Sequence, residues 1–404
     1  MLAPLTTPSA RALLSPSARV LVAAADRDCG ISRARELPWS DVHWPTLVSL
    51  TSFERAESQM FRLLRAAPEG AVPEDVTAAM QRVFRVAVFR SAEVGDAAGV
   101  ACDAFRAAGI RALWLKGAAL AMQSPDEFAL RSMGDLDVLV APEQHVEARR
   151  VLVSAGWSDG VPDQSYATHH HDAPLLWRGG TRLELHSAVF PPGHPFADDA
   201  AEEWIARGIP VRWGARQVTV LPAAWQLVHS SVHWAWSHEG AVGTWQYLHD
   251  LQRLTDGWVA GGIDWQRLVS FAELIRAELP VGWGLWTGAR LGGAPVDESV
   301  IERLRGRPRV LGGVAEREWV LRAFHSPMAS PSVTWSRFWW RRAMGGLGDN
   351  SQDWPWTRGR VAQPTGAGTD AGADDGTDTG TGASAGGRDA IARWRRHLGR
   401  VLRG

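Results

Sequence analysis

Cysteine, tyrosine, asparagine and lysine are all scarce in this chain. Of its 404 residues two are cysteines, Cys29 and Cys102. That is too few for a disulfide framework and points to a reducing, cytoplasmic setting. No apolar run approaches the roughly 20 residues needed to span a bilayer, so no membrane span is expected. An excess of charge is also missing: the formal net charge is −1, which argues against a surface built throughout for nucleic acid. Two tyrosines stand beside 22 tryptophans, and of 43 lysines and arginines only Lys116 is a lysine. GC-rich codon usage produces such a bias, and it makes Lys116 informative. Where arginine serves everywhere else, a retained lysine indicates a need for a compact ammonium rather than a planar fork.

What is present divides the chain into zones. Residues 1–40 begin without acids and read as a poorly ordered segment leading into a helix. From 41 to 109 the pattern is helical: Trp44, Leu47, Leu50 and Phe53, then Met60, Leu63 and Leu64, recur at three to four residues. Two further helices follow, from Val76 to about Val94 and from Val100 to Ala108, the second closed by Gly109. Residues 110–190 change texture. Ile110–Leu115 and Leu136–Val140 have the length and apolarity of strands, and Pro142–Ala155 reads as a helix. Pro174–Trp177 and Arg182–Ala188 form a hairpin around Gly179-Gly180. Strands mixed with helices here suggest a compact α/β core of roughly 100 residues. Residues 191–348 read as a helical accessory region lined by Trp225, Val228, Val232, Trp245, Leu248, Leu251 and Leu254. Residues 349–388, rich in Gly, Thr and Asp, read as a disordered linker. Residues 389–404, with five arginines beside Ile391, Trp394, Leu398 and Val401, read as a basic amphipathic helix.

The chemistry concentrates in the α+β zone. On a strand alternate side chains share a face, so Asp135 and Asp137 point one way while Leu136 and Val138 enter the core. Two carboxylates on one face call for a cation between them, and a third, Glu184 on a later strand, completes a two-metal Mg²⁺ site for in-line displacement at phosphorus. Lys116-Gly117 follows a strand directly, where glycine admits a phosphate close to the backbone and the lysine adds a point charge. Arg131, four residues ahead of Asp135, has the fork to hold a phosphate bidentately.

The run LWLKGAALAMQSPDEFALRSMGDLDVLVAPEQHVEARRVLVSAGW resembles the uncharacterised nucleotidyltransferase-like family of the DNA polymerase β superfamily. The family pairs an LKG element and an R-x-x-D-h-D-h-L-V element with a later E-L-H strand, here Lys116-Gly117, Arg131 to Val140, and Glu184 to His186. The resemblance extends over roughly residues 40 to 300. It implies a nucleotidyltransferase fold, a twisted mixed sheet with flanking helices and a largely helical C-terminal region. It also implies Mg²⁺-dependent transfer of NMP from a nucleoside triphosphate to an acceptor hydroxyl. Asp135, Asp137 and Glu184 are then catalytic metal ligands, and Lys116, Gly117, Arg131 and His186 bind the nucleotide. One departure stands out: Gly117-Ala118 replaces the usual Gly-Ser or Gly-Gly, so Lys116, Arg131 and backbone amides must hold the phosphates.

Other residues admit two readings. His186 contacts the nucleotide or orients a carboxylate. His169–His171 precede the hairpin. His229 and His233 share a helix face and line either a packing interface or the acceptor pocket. The tryptophans serve a ligand or, for the most part, the core. Three functions follow in order: nucleotidyl transfer to a small-molecule, peptide or protein hydroxyl; a catalytically weak nucleotide-binding or interaction module; and nucleotide addition to RNA. Only the basic C-terminal helix favours a nucleic-acid partner.

Overall fold

The computed structural model describes residues 4–124, 128, 130–159, 173–190, 194, 196, 201–238, 240, 242–256, 262–306 and 312–324. The segment expected to be loose is folded over those residues. Helices α1 (Thr7–Ala12) and α2 (Pro16–Ala23) start at Thr6 and Ser15, each followed by a proline in the first turn. The Ser15 side chain accepts the Ala18 N–H. Val20, Leu21 and Ala24 are fully buried. The Leu5 N–H donates to Glu316 at 2.6 Å and the Arg11 Nε to the Leu291 carbonyl at 2.8 Å, tying this end to helices late in the chain. An acid-free, alanine-rich composition resembled disorder, yet its apolar residues sit at helical spacing and find a partner surface.

Helices α3 (Trp44–Phe53) and α4 (Glu57–Arg65) follow as expected. The two helices anticipated next are one: α5 runs unbroken from Glu74 to Ala107. Gly99 within it does not interrupt the helix but makes room for the Arg216 guanidinium, which a Cβ would meet at 3.1 Å.

Six strands form one mixed, open sheet in the order β3-β4-β2-β1-β6-β5. They are β1 (Ala112–Trp114), β2 (Asp135–Val140), β3 (Leu175–Leu176), β4 (Arg182–His186), β5 (Ile209–Trp213) and β6 (Arg216–Val220). At the centre β2 lies antiparallel to β1 and parallel to β4. The β5–β6 hairpin was not foreseen. It falls in the zone read as helical, and the sheet therefore extends to Val220, with β6 parallel to β1.

The period of two sorts the sheet's side chains by face. Trp114, Leu136, Val138, Leu183, Leu185 and Val218 pack with Ala97, Ala101 and Phe105 of α5 and with Leu152 of α7 (His145–Ser154), which follows α6 (Lys116–Met122). Leu113, Leu115 and Leu139 join the other cluster, built with helices from both ends of the chain. Asp135, Asp137, Glu184 and His186 belong to this second face, beneath the accessory helices. That region comprises α8 (Ala201–Ala206), α9 (Ala223–Val232), α10 (Thr244–Thr255), α11 (Trp265–Leu274), α12 (Glu278–Thr287), α13 (Glu298–Arg305) and α14 (Gly312–Arg322). No helix among the described residues is long and apolar enough to cross a membrane. The linker expected at 349–388, the basic helix expected at 389–404 and His169–His171 lie outside the described residues.

Candidate active site

Strand register assembles the acid face. Asp135 pairs with Arg182, Asp137 with Glu184 and Leu139 with His186 across the parallel β2–β4 ladder. On the other side of β2 the Leu115 N–H donates to the Asp137 carbonyl at 3.0 Å, carrying the β1–β2 ladder one residue further. The next residue is Lys116, in the left-handed region at φ 49°. Its Nζ donates to Asp137 Oδ1 at 2.6 Å. His186 Nε2 lies 2.9 Å from the same oxygen and 3.8 Å from Glu184 Oε2. Ligand atoms of Asp137, Glu184 and His186 all fall within 4.8 Å of one another. The sequence grouped Asp135 with Asp137 and Glu184. The geometry instead draws His186 into the trio and leaves Asp135 beside it, half-buried at the start of β2.

Burial and charge separate these carboxyls. Burial opposes the Asp137 charge, yet the Lys116 ammonium and the His186 hydrogen bond hold its carboxyl well below the usual range. Burial, reinforced by the neighbouring Asp137 charge, pushes Glu184 up to about 7. Asp135 is raised for the same two reasons, against the pull of Lys116, Arg55 and Arg182. Lys116, though half-buried, is held above the ordinary lysine value by Asp137.

Arg131 is placed differently from its expected role at a phosphate. Its two terminal nitrogens fork onto both oxygens of Asp250 on α10, Nη2 at 2.9 Å, and both side chains are buried. The back of the guanidinium lies against Gly117, where a Cβ would meet Nε at 3.0 Å. Arg131 thus braces the Lys116-Gly117 turn against the accessory helices. The edge expected to face a phosphate is engaged by Asp250.

A family model described as an uncharacterised nucleotidyltransferase matches residues 40–293. The chain belongs to that family. Neither a curated protein nor a solved structure matches it. The matched stretch contains every residue of the site just described, together with α3 to α12.

Within the family's span the site has a histidine wall. His229 on α9 is buried, and a π-helical turn, His233–Ser237, carries the helix onward to His238. The π turn brings His233 Nε2 and His238 Nε2 to 2.9 Å, so one imidazole donates and the other accepts. Burial, then the charge of Lys116, drives His229 down to about 3 and His238 to about 4. These imidazoles are neutral at pH 7 and within electrostatic reach of Lys116. Trp225, Trp234, Trp236, Trp245, Trp283 and Trp286 are all buried in the helical core.

Arg55 was missed by motif. It follows α3, far from the strand signatures, and its guanidinium lies against Gly134, one residue before Asp135. The donor set of Asp137, Glu184 and His186, two carboxylates and an imidazole with Asp135 nearby, could hold a divalent cation.

Proposed function

We propose that the chain transfers a nucleoside monophosphate from a nucleoside triphosphate to a hydroxyl of a small-molecule, peptide or protein acceptor, on a fold of the polymerase β type. The observation that carries this is the register of Asp137 with Glu184 on adjacent parallel strands, with Lys116 entering beside them from β1. Mg²⁺ is the ion proposed; Asp137 and Glu184 would hold it, with Asp135 extending the acid face toward a second and His186 beside them as the hydrogen-bond partner of Asp137. Such an ion, when bound, polarises the phosphoryl oxygens and stabilises the charge that develops on the leaving pyrophosphate.

The chain's own residues do the rest. Lys116 offers a compact charge to the phosphates. His186 fixes the orientation of the Asp137 carboxylate through its hydrogen bond. Glu184 is the carboxylate proposed to take the acceptor's hydroxyl proton. The acceptor O–P bond forms as the bond to pyrophosphate breaks, and the proton passes to Glu184. Arg131 acts behind the turn as a positioning residue.

The test is calorimetric binding of each of the four NTPs with and without Mg²⁺, comparing wild type with Asp135→Asn/Asp137→Asn. Metal-dependent binding lost in the double variant supports the reading, and no binding to any NTP overturns it. Ala118 in place of a serine favours a second reading, a nucleotide-binding module without turnover. NTP binding with no pyrophosphate released to any acceptor would select it.

A further inference from the structure

We propose that Arg55 and Arg182 form a polyphosphate clamp at the rim of the acid face, beside Asp135, that takes the terminal phosphates of the triphosphate. This rests on the nucleotidyl-transfer reading and names residues that its motifs do not contain.

Arg55 occupies a position where glycine is the usual residue. Helix α3 ends in a closing turn in which the Ala56 N–H donates to the Thr51 carbonyl at 2.9 Å and the Arg55 N–H to the Ser52 carbonyl at 3.3 Å. Such a turn requires a left-handed residue, most often glycine, and Arg55 sits there at φ 55°. Among the described residues four non-glycines have left-handed φ, and two of them, Arg55 and Lys116, are cations of this site. Arg276 closes a like turn after α11, so the backbone conformation by itself assigns no task.

The task is indicated by where the side chain goes. The Arg55 guanidinium lies across Gly134, and a Cβ at Gly134 would overlap it. Glycine there makes room for the guanidinium, which acts electrostatically on Asp135. Arg182 on β4 stands directly opposite Asp135 in the ladder. Both arginines are exposed, and neither has an ion pair among the described residues. Both forks are in electrostatic reach of Asp135, Arg182 also of Glu184 and Arg55 also of Glu57, and neither closes on any of these acids as an ion pair. The forks suit a polyphosphate, which arginine binds bidentately. The demand is also there: the phosphate turn carries no serine, and the fork of Arg131 is engaged with Asp250.

The experiment uses the full chain with Mg²⁺ and three probes, ATP, AMP and inorganic tripolyphosphate, against wild type, Arg55→Gly and Arg182→Gln. Arg55→Gly suits the local φ, so its melting temperature is expected to equal or exceed that of wild type. Each variant is expected to lose about tenfold in affinity for ATP and for tripolyphosphate, the size of one charge-assisted interaction. AMP affinity should stay within about twofold. Lys at position 55, by Arg55→Lys, should restore part of the loss. Unchanged ATP and tripolyphosphate affinity in Arg55→Gly would overturn the clamp, as would an equal loss for AMP. Failure of the underlying reading has another signature: wild type binds tripolyphosphate, loses it in Arg55→Gly, and shows no preference for ATP. In that case the clamp stands and nucleotidyl transfer does not.

Discussion

Two cation–carboxylate pairs, one buried and one with a half-buried lysine, lie close together on this fold, and they are balanced differently. Arg131 and Asp250 meet fork to fork, two nitrogens on two oxygens, joining the α+β core to α10 across 119 residues of sequence. The charges match and the geometry is bidentate. Lys116 and Asp137 meet through one nitrogen and one oxygen, and that oxygen is shared with His186. Around them stand Asp135 and Glu184, both raised by burial and by the Asp137 charge. A pair whose charges cancel has nothing left to offer a ligand. A cluster with surplus carboxylate, held by a single-point ammonium, is poised to exchange that ammonium for another cation.

The largest expected effect belongs to the surplus cluster. Asp137→Asn removes the oxygen charge on which Lys116 and His186 converge. Mg²⁺-dependent turnover, measured as pyrophosphate release, is expected to fall by about 10³-fold or more, in line with the several kcal/mol a metal contributes. The unfolding transition should stay cooperative. Activity surviving at a tenth of wild type would remove Asp137 from the chemistry. Next in size is Asp250→Ala, which leaves the Arg131 charge buried without its carboxylate and is expected to cost about 3–5 kcal/mol in urea unfolding. Arg131→Met/Asp250→Leu should recover much of that loss. If Asp250→Ala kept full stability but lost NTP affinity, the bridge would be part of the binding site and the contrast between the two pairs would collapse.

These two pairs were not equally legible in the sequence. Asp135-Leu136-Asp137 and Glu184-Leu185-His186 write the strand period directly, polar outward and apolar inward, so the acid face could be drawn before any coordinates. That His186 orients a carboxylate was among the readings, because an i, i+2 spacing places it on the Glu184 side; that the carboxylate is Asp137 follows from the β2–β4 register. The Arg131–Asp250 bridge has no local signature, since nothing near residue 131 names a partner on a helix 119 positions later. Arg55 is harder still. Its significance is the placement of its side chain against Gly134 from the end of a helix, and no residue pattern announces it. The β5–β6 hairpin was legible in principle, through Gln217-Val218-Thr219-Val220 alternation and Gly214 at the turn, but the short strands were overshadowed by the helical stretches that follow.

A third buried carboxylate extends the comparison, because it has no cation partner among the described residues. Glu54 accepts the Trp245 N–H at 2.8 Å, and burial pushes its carboxyl up to about 7 from 4.5. A raised carboxyl favours the protonated fold. Its contribution to stability is therefore full below pH 4.5 and is lost as pH rises through 7. The loss is on the order of 3 kcal/mol between those limits. Glu54→Gln keeps an acceptor for the Trp245 N–H and cannot ionise. The difference between wild-type and variant unfolding free energies should slope across this window and flatten on either side. A flat difference throughout would mean that Glu54 is ionised in the fold and has found a cation, making it a third member of the paired class.

The smallest effect is the sharpest test of exchange. If Lys116 occupies Asp137 Oδ1 in competition with a metal, Lys116→Met should bind Mn²⁺ about fivefold more tightly in the absence of nucleotide, because the ion no longer displaces an ammonium. The same variant should bind NTP more weakly, because the charge that turns to the phosphates is gone. The two shifts have opposite signs, which a general loosening of the site cannot produce. Arg131→Met, by contrast, should leave Mn²⁺ affinity unmoved once its lower stability is allowed for. Weaker Mn²⁺ binding in Lys116→Met would show the ammonium to be a fixed support of the carboxylates, making this pair as structural as the bridge beside it.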